Sequence, residues 1–535
     1  MDILKTPKIP EIKSNEFTPQ IIELLDVLHY QAEMIQILKN EIAVLKGDKK
    51  PPKIKPSNLD KGSKGSNNGN KSQKNDGEMQ RPGSAKKNKN EILKIHQTVD
   101  CPAENVPVGS IFKGYKEFTV QGILITPHNI LYRMERWETS SGTYIQGKLP
   151  SAITGHFDST LISYIQYQYH HCHVTQPLLL EQLREFGIEI SSGHLNHILV
   201  EGNDIFHQEK DEILKTGLAI SSYINADDTG ARHDGKNGYC THIGNEFFSW
   251  FGSTNSKSRI NFLTLLQAGK VGYYLNEDAF EYFKREKLPI GPTELLRNNG
   301  KTFSNIQAWQ AHLKTLEIQN NYHVRIATEG ALIGNLFENG FNHDLVIVSD
   351  DAGQFNILLH ALCWVHAERL IHKLVPYTDE QRDALKCILD RIWKLYAELK
   401  SYRENPTAKA KDIIEKEFDN IFKEATCFIT LNIALKRLYK NKKELLLVLD
   451  RPDIPIHNNM SESDIREYVK RRKVSGGTRN VNGQKSRDTF TSLKKTARKL
   501  GESFWKFLND RNSGSNKIPR LYDLMRTKME MKNTC

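Results

Sequence analysis

AISSYINADDTGARH at 219–233 and HDLVIVSDDAGQF at 343–355 share one pattern, an apolar run that stops at two adjacent acids, Asp227 with Asp228 and Asp350 with Asp351. Runs of this length bounded by turn residues read as core strands. A strand core is a costly place for charge, because buried carboxylates lose hydration and repel one another. Paired acids there point to metal binding or catalysis. After the first pair, the turn DGKNG (234–238) leads into YCTHIGNEFFSWFGS (239–253), one or two further strands of a meander. After the second, NILLHALCWVHAERLIHKLV (356–375) reads as an apolar helix holding Cys363, Trp364, His366 and Arg369. Far downstream, IPIHNNMSESDIREYVKRRK (454–473) places Glu462 at the start of a helix that runs into a basic segment. Two strand-borne aspartates and a helix-borne glutamate make an all-oxygen ligand set suited to a pair of Mg2+ ions, for which Mn2+ can substitute. Such ions, roughly 3.5–4 Å apart, activate a water or hydroxyl and stabilise the leaving oxygen of an in-line phosphoryl transfer.

Composition bounds what such a site can serve. At 535 residues, 38% hydrophobic and 26% charged, the chain is long enough for about three or four domains with real cores. No apolar run approaches the ~20 residues that cross a bilayer, and the start, MDILKTPKIPEIKSNEF, lacks the basic-then-apolar order of a secretory signal. A cytoplasmic protein without membrane association is expected. The 7 cysteines are scattered with no CxxC pair, against a disulfide framework or Cys-rich zinc module and in favour of a reducing compartment. The net charge of +11 is uneven, with +9 in residues 46–94, +10 in 466–499 and −8 in the remainder. Concentrated Lys and Arg on an acidic body suit a polyanionic partner, although a solvated tail plus a charged helix gives the same composition.

Residues 19–46 place Ile21, Leu24, Leu28, Gln31, Ile35, Leu38, Ile42 and Leu45 at alternating steps of three and four, a coiled-coil seam broken only by Gln31. A self-associating zipper is expected, the alternative being an amphipathic helix packed on the body. Residues 47–92 are rich in Lys, Gly, Ser, Asn and Pro, so a disordered, flexible basic linker is expected. Residues 93–150 alternate apolar and polar positions between Gly and Pro breaks, the pattern of a small β-rich module. Residues 157–217 are helical by pattern, and LLLEQLREFG (178–187) before SSGHLNHILV (191–200) has the order of a DNA-reading helix-turn-helix, an order many helical hairpins share. His170, His171, Cys172 and His173 are consecutive, so on a helix they point in different directions and read as ordinary packing and surface positions.

In order along the chain, DDTGARH (227–233), SDDAGQFN (349–356), CWVHAER (363–369), NNMSESDIR (458–466), RRK (471–473) and TSLKKTARKLGESFWKFL (491–508) resemble the motifs of the insertion sequence 66 family of bacterial DDE transposases. Members of that family show a strand of Asp-Glu-Thr-Gly type, then Asp-Gly-Tyr-x-x-Tyr-Asn followed by Cys-Trp-x-His-x-x-Arg, then Asn-Asn-x-x-Glu before an Arg-Lys pair. No single motif is specific, but their ordered combination over about residues 157–510 is.

The resemblance implies an α/β ribonuclease-H-like catalytic core over 218–510 with helical insertions, a helical DNA-binding region before it and a tail at 511–535. Because 112 positions separate Asp350 from Glu462 and 123 separate Asp227 from Asp350, insertions are expected at about 376–450 and about 268–322, the second without an assigned role. Carried over residue by residue, Asp227, Asp350 and Glu462 match the catalytic, metal-holding carboxylates. Asp228 matches the acid after the first, while Asp351, Asn458 and Asn459 flank the other two. Strand alternation agrees on Asp350, which shares a face with Val346 and Val348. Cys363, His366 and Arg369 match the Cys-x-x-His-x-x-Arg signature and would brace the site, or else fill a helix core. Lys470, Arg471, Arg472, Lys473 and Arg479 would clamp the DNA backbone. Three features depart from the family. Cys101 stands alone where members carry a Cys-paired zinc module, Asp351 replaces the usual Gly, and RRKVSGG (471–477) replaces the usual Arg-Lys-Asn-Trp.

The function implied is a bacterial, nucleoid-associated transposase that binds the terminal inverted repeats of its own mobile element and cleaves and joins DNA strands. It would act as a homo-oligomer through the zipper, with accessory proteins of the element as further partners. A catalytically inactive DNA-binding descendant, or a nuclease of the same fold that cuts without joining, are the alternatives.

Overall fold

The computed structural model describes residues 94–150, 153, 155–376 and 378–534. The zipper expected at 19–46 and the linker at 47–92 lie outside the described residues. Between Lys94 and Pro150 the strands are β1 (Arg136–Glu138) and β2 (Tyr144–Gln146), paired antiparallel. The rest of that stretch is irregular and leaves Phe118, Ile123, Leu124 and Leu131 exposed. The expected β-rich module is therefore one hairpin, because its alternating apolar residues meet no second layer among the described residues.

Three helices follow, α1 (Ser159–His170), α2 (Gln176–Glu185) and α3 (Ser192–Val200). Asp158 and Ser191 cap α1 and α3 by accepting the N–H groups of Leu161 and His194, and a proline starts α2. Ile165, Leu179, Leu183, Leu195 and Leu199 close a small core among the three. The amino-terminal turn of α3 stays exposed.

The main body begins with α4 (Asp204–Ile220) and the meander β3 (Tyr223–Gly230), β4 (Tyr239–Gly244) and β5 (Ser249–Thr254). Next come α5 (Arg259–Leu266), β6 (Tyr273–Tyr274), α6 (Glu277–Arg285), α7 (Ile290–Asn298), β7 (Thr302–Phe303), α8 (Ile306–Thr315) and α9 (Asn321–Glu338). Strands β8 (Val346–Ser349) and β9 (Leu359–Leu362) complete a five-stranded sheet in the order β5-β4-β3-β8-β9. The meander strands pair antiparallel, whereas β8 runs parallel to β3 and β9 parallel to β8. The segment 268–322, which the sequence left without a role, wraps on α9 and shares the main core through Phe283, Leu296, Trp309 and Leu313. Helix α9 is buried from Ile326 to Leu336. It passes so close to β6 that a Cβ at Gly334 would lie 2.2 Å from the Tyr274 carbonyl, so only glycine fits.

After α10 (Trp364–His372) come α11 (Asp379–Glu404), α12 (Ala408–Phe422), α13 (Ile429–Lys440) and α14 (Lys442–Leu445), a run of helices between Asp350 and Glu462. The chain returns to the sheet with α15 (Asn459–Ser475) and α16 (Val481–Lys499), then α17 (Phe504–Asn512) and α18 (Leu521–Thr534). The last of these corrects the expected tail. Leu521 and Met525 are fully buried, and the guanidinium groups of Arg511 and Arg520 with the Leu521 N–H converge on the buried carboxylate of Glu209 in α4. No helix of the described residues is long and apolar enough to cross a membrane.

Candidate active site

Strands β3 and β8 lie side by side and parallel, with Asn225 opposite Val348. Asp227 lies two residues beyond Asn225, and Asp350 two beyond Val348 and one past the end of β8, so both acids stand at the same end of the paired strands. Glu462 enters from above, in the first turn of α15, where the helix dipole favours an anion. The amide of Asn458, at the N-cap of α15, knots the helix to the sheet. Its Nδ2 donates to the Ala226 carbonyl at 2.8 Å and its Oδ1 accepts from Asn225 Nδ2 at 2.9 Å. Its backbone N–H points to Cys363 Sγ at 3.1 Å, and the Cys363 N–H donates to the Ser349 carbonyl at 2.9 Å. Two buried side chains, Asn458 and Cys363, thus tie together the ends of three segments that carry carboxylates.

The electrostatics register this convergence. Burial pushes Asp227 up to about 7, and the charges of Asp350, Asp228 and Glu462 push the same way, against an N–H donated by Asp228 at 2.7 Å. Glu462 meets two guanidinium groups from its own side, Arg369 at 3.0 Å and Arg466 at 3.7 Å, with the His366 ring nitrogen Nε2 also 3.7 Å away. Burial lowers His366, partly offset by Glu462 and Asp350. Among the described residues no three His, Cys, Asp or Glu side chains are already gathered closely enough to surround one ion. The donor chemistry nevertheless suits a hard divalent cation, since the acids are carboxylate oxygens whose repulsion a cation would relieve.

The other expected site residues divide. Asp228 belongs to the neighbourhood but is already satisfied, accepting from Thr241 Oγ1 at 2.5 Å and from Gln354 Nε2 at 2.9 Å. Asp351 turns away to the helical insertion, where Arg437 lies at 2.8 Å and Asn441 at 3.4 Å, so it supports the site only through its neighbour. Asn459 is the first residue of α15. Of the five expected backbone clamps, Lys470, Lys473 and Arg479 are exposed. Arg471 is not available to a phosphate. It is buried, donates to the Tyr169 carbonyl at 2.8 Å and stacks 3.9 Å above the Tyr169 ring. Arg472 donates to the Gly230 carbonyl and so ties α15 to the end of β3. A run of four basic residues spans more than one face of a helix, and the face against the body has to be used structurally.

Sequence reasoning missed a polar layer beneath the carboxylates. His242, directly opposite Asp227 on β4, meets Ser461 and Ser249 through its two ring nitrogens, and Asp464 Oδ2 lies 3.2 Å from its Nε2. Lys495 and Lys499 of α16 reach Asp464 at 2.9 and 2.7 Å. The only available signal was spacing, with Ser461 and Asp464 three apart on one helical face. Nothing in the sequence pointed to β4 or α16 as their partners.

The carboxylate geometry can now be set beside known proteins. A model described as "Transposase IS66 family" matches residues 322–486, a window that takes in Asp350, Cys363, His366 and Glu462 and leaves Asp227 outside. The "Uncharacterized protein y4jO" of Sinorhizobium fredii (strain NBRC 101917 / NGR234) is 42% identical over 302 residues, 56% of this chain and 94% of that protein.

Proposed function

Because the chain belongs to the IS66 family of transposases, we propose that it cleaves the ends of a mobile DNA element and joins them to target DNA with Asp227, Asp350 and Glu462 at the reacting centre. The observation that carries this reading is that burial, with the charges of Asp350, Asp228 and Glu462 acting in the same direction, raises Asp227 to about 7. The strand order supports a ribonuclease-H-like core. A three-stranded meander is followed by two parallel strands, Asp227 lies on the first strand of that series, Asp350 directly follows the fourth, and the glutamate lies on a later helix.

Asp227, Asp350 and Glu462 would hold two Mg2+ ions, which when bound supply activation of a water or a DNA 3′-hydroxyl and neutralise the leaving oxygen. The chain's own residues do the rest. Burial and the neighbouring acids favour a proton on Asp227 up to about pH 7, and its carboxylate would be one of the groups that hold the ions. Asn458 and Cys363 hold the start of α15 against β3, so that Glu462 stays in register with both aspartates. Arg369 balances Glu462 while the site is free of substrate. Lys470, Lys473 and Arg479 line the exposed side of the same helix and the loop after it, where a phosphate backbone can pass. Two copies of the chain would hold the two element ends in one complex.

The test is a strand-transfer assay with pre-cut duplexes carrying the ends of the element, the element's accessory proteins and Mg2+ or Mn2+. Joined products from the wild type, and none from Asp350→Ala that still binds DNA, are expected. Cleavage without joining would make the protein a nuclease. Neither activity, with DNA binding indifferent to Asp350→Ala, would make it an inactive DNA-binding descendant.

A further inference from the structure

The hairpin between β3 and β4, Ala231–Gly238, extends beyond the sheet immediately after the strand that carries Asp227. From His233 it is 245 positions to Thr478, where the loop that follows α15 comes back to the hairpin. The Thr478 N–H donates to the Arg232 carbonyl at 3.0 Å, the Asp234 N–H donates to the Thr478 carbonyl at 2.8 Å, and His233 Nδ1 meets Thr478 Oγ1 at 2.8 Å. His233 forms bridges to both Lys236 and Thr478, so hairpin and loop make one small β-like knot. The approach is too close for any side chain at position 477, where a Cβ would lie 2.4 Å from the Arg232 carbonyl. That glycine falls in RRKVSGG, where the sequence leaves the pattern of the family it resembles.

The knot turns a basic surface outward. Arg232, Lys236, Lys473 and Arg479 are all exposed, against one exposed acid, Asp234. Among the described residues, Arg232 uses its Nε on the Gly235 carbonyl, and neither Lys236 nor Arg479 makes a side-chain hydrogen bond or ion pair. Arg472 donates to the Gly230 carbonyl just before the hairpin and fixes the knot to the strand that carries the aspartates. From Glu462 to Arg472 is ten residues of helix, about 15 Å at 1.5 Å per residue. From Asp227 to Ala231 along the chain is about 13 Å at 3.3 Å per residue. Two routes through different elements thus put the basic knot about 15 Å from the carboxylates, a distance of roughly four base pairs at 3.4 Å per nucleotide step.

We propose that the β3–β4 hairpin and the 476–479 loop form a DNA-backbone grip, in which Arg232, Lys236 and Arg479 engage phosphates about four base pairs from the bond being cut. The inference rests on the transposase reading and adds a partner-binding element to it. A hydrogen-bonded knot held on two sides presents its cations at fixed spacing, which a lone flexible loop does not. Its partner is a duplex backbone, because four exposed cations against one exposed acid complement a row of phosphates.

The test is fluorescence anisotropy of the full-length protein on a 30-base-pair duplex of mixed sequence, titrated between 50 and 200 mM KCl. Removing two phosphate contacts with Arg232→Ala/Lys236→Ala should lower the slope of log affinity against log salt by about 1.8, so the affinity lost across that range shrinks about tenfold. Gly477→Val, which forces loop and hairpin apart without touching a charge, should weaken binding in the same direction. Lys301→Ala/Lys314→Ala, remote exposed lysines, should leave the slope unchanged. A slope equal to wild type in the first variant, or an equal fall in the remote one, would overturn the grip and leave the transposase reading standing. A wild-type protein with no salt-dependent duplex binding would overturn both.

Discussion

Asp227→Asn should make the protein more stable in alkaline solution, and the size of the gain follows from the site. Burial, with help from Asp350, Asp228 and Glu462, raises the carboxyl from 3.8 to about 7. An acid whose folded pKa lies above its unfolded value favours the folded state only while protonated. Stability is lost progressively as pH rises from about 4 and levels off above about 7. A gap of about three pH units at 1.36 kcal/mol each corresponds to about 4 kcal/mol at pH 8. Asparagine keeps the shape and the oxygen that accepts the Asp228 N–H at 2.7 Å, but it carries no charge. In metal-free buffer with a chelator, urea unfolding followed by circular dichroism should find the variant about 4 kcal/mol more stable than wild type at pH 8, about 1–2 kcal/mol at pH 5 and level near pH 4. Mg2+ should then stabilise the wild type and leave the variant nearly unmoved. A variant no more stable than wild type at pH 8, or a difference indifferent to pH, would refute the account of a strained carboxylate cluster.

Other expectations follow from the surrounding contacts. Asn458→Ala leaves the Ala226 carbonyl and the Asn225 amide without their partner in a fully buried place, so it should cost about 2–4 kcal/mol and weaken Mn2+ binding measured by calorimetry. A cost under ~1 kcal/mol with unchanged Mn2+ affinity would contradict the knot. Asp464→Asn strands Lys495, Lys499 and His242 and should cost about 3–5 kcal/mol at neutral pH. Burial raises Asp464, but His242 and the two lysines outweigh it and hold the carboxyl well below its usual range. The stability it contributes is therefore present above about pH 4 and is lost as pH falls toward the folded value, so the gap between variant and wild type should close in acid. The thiols give a simpler check. Burial pushes Cys363 up to about 11 and Cys240 well above the usual thiol range, so iodoacetamide at pH 8 should spare both and label Cys101, Cys172, Cys387 and Cys427. Mass spectrometry of the peptides reads the outcome directly.

Local pattern carried β3 and β8, because an apolar run that ends in acids is visible without knowing what lies beside it. For the same reason Asp227, Asp350 and Glu462 were legible as candidates, and the long gaps between them required insertions. The helix expected over 356–375, however, begins only at Trp364, and Leu359–Leu362 is strand β9 because it pairs with β8. Period alone misled at 93–150, where alternation without a second layer yields one hairpin, while the segment 511–535, expected as a tail, docks by two buried residues and an ion network. Arg471 shows the limit for function. A basic run tells how much charge a helix carries, but only the packing of α15 on α1 turns that guanidinium onto the Tyr169 ring. The sequence by itself determined which residues could bear catalytic charge, since that depends on residue type and on neighbours a few positions away. The tertiary structure alone decided which of them come close enough to act on one another. The register of β3 with β8, the amide of Asn458 across 232 positions and the close passage of Gly477 by Arg232 are long-range contacts, set by how the helices and strands fill space together.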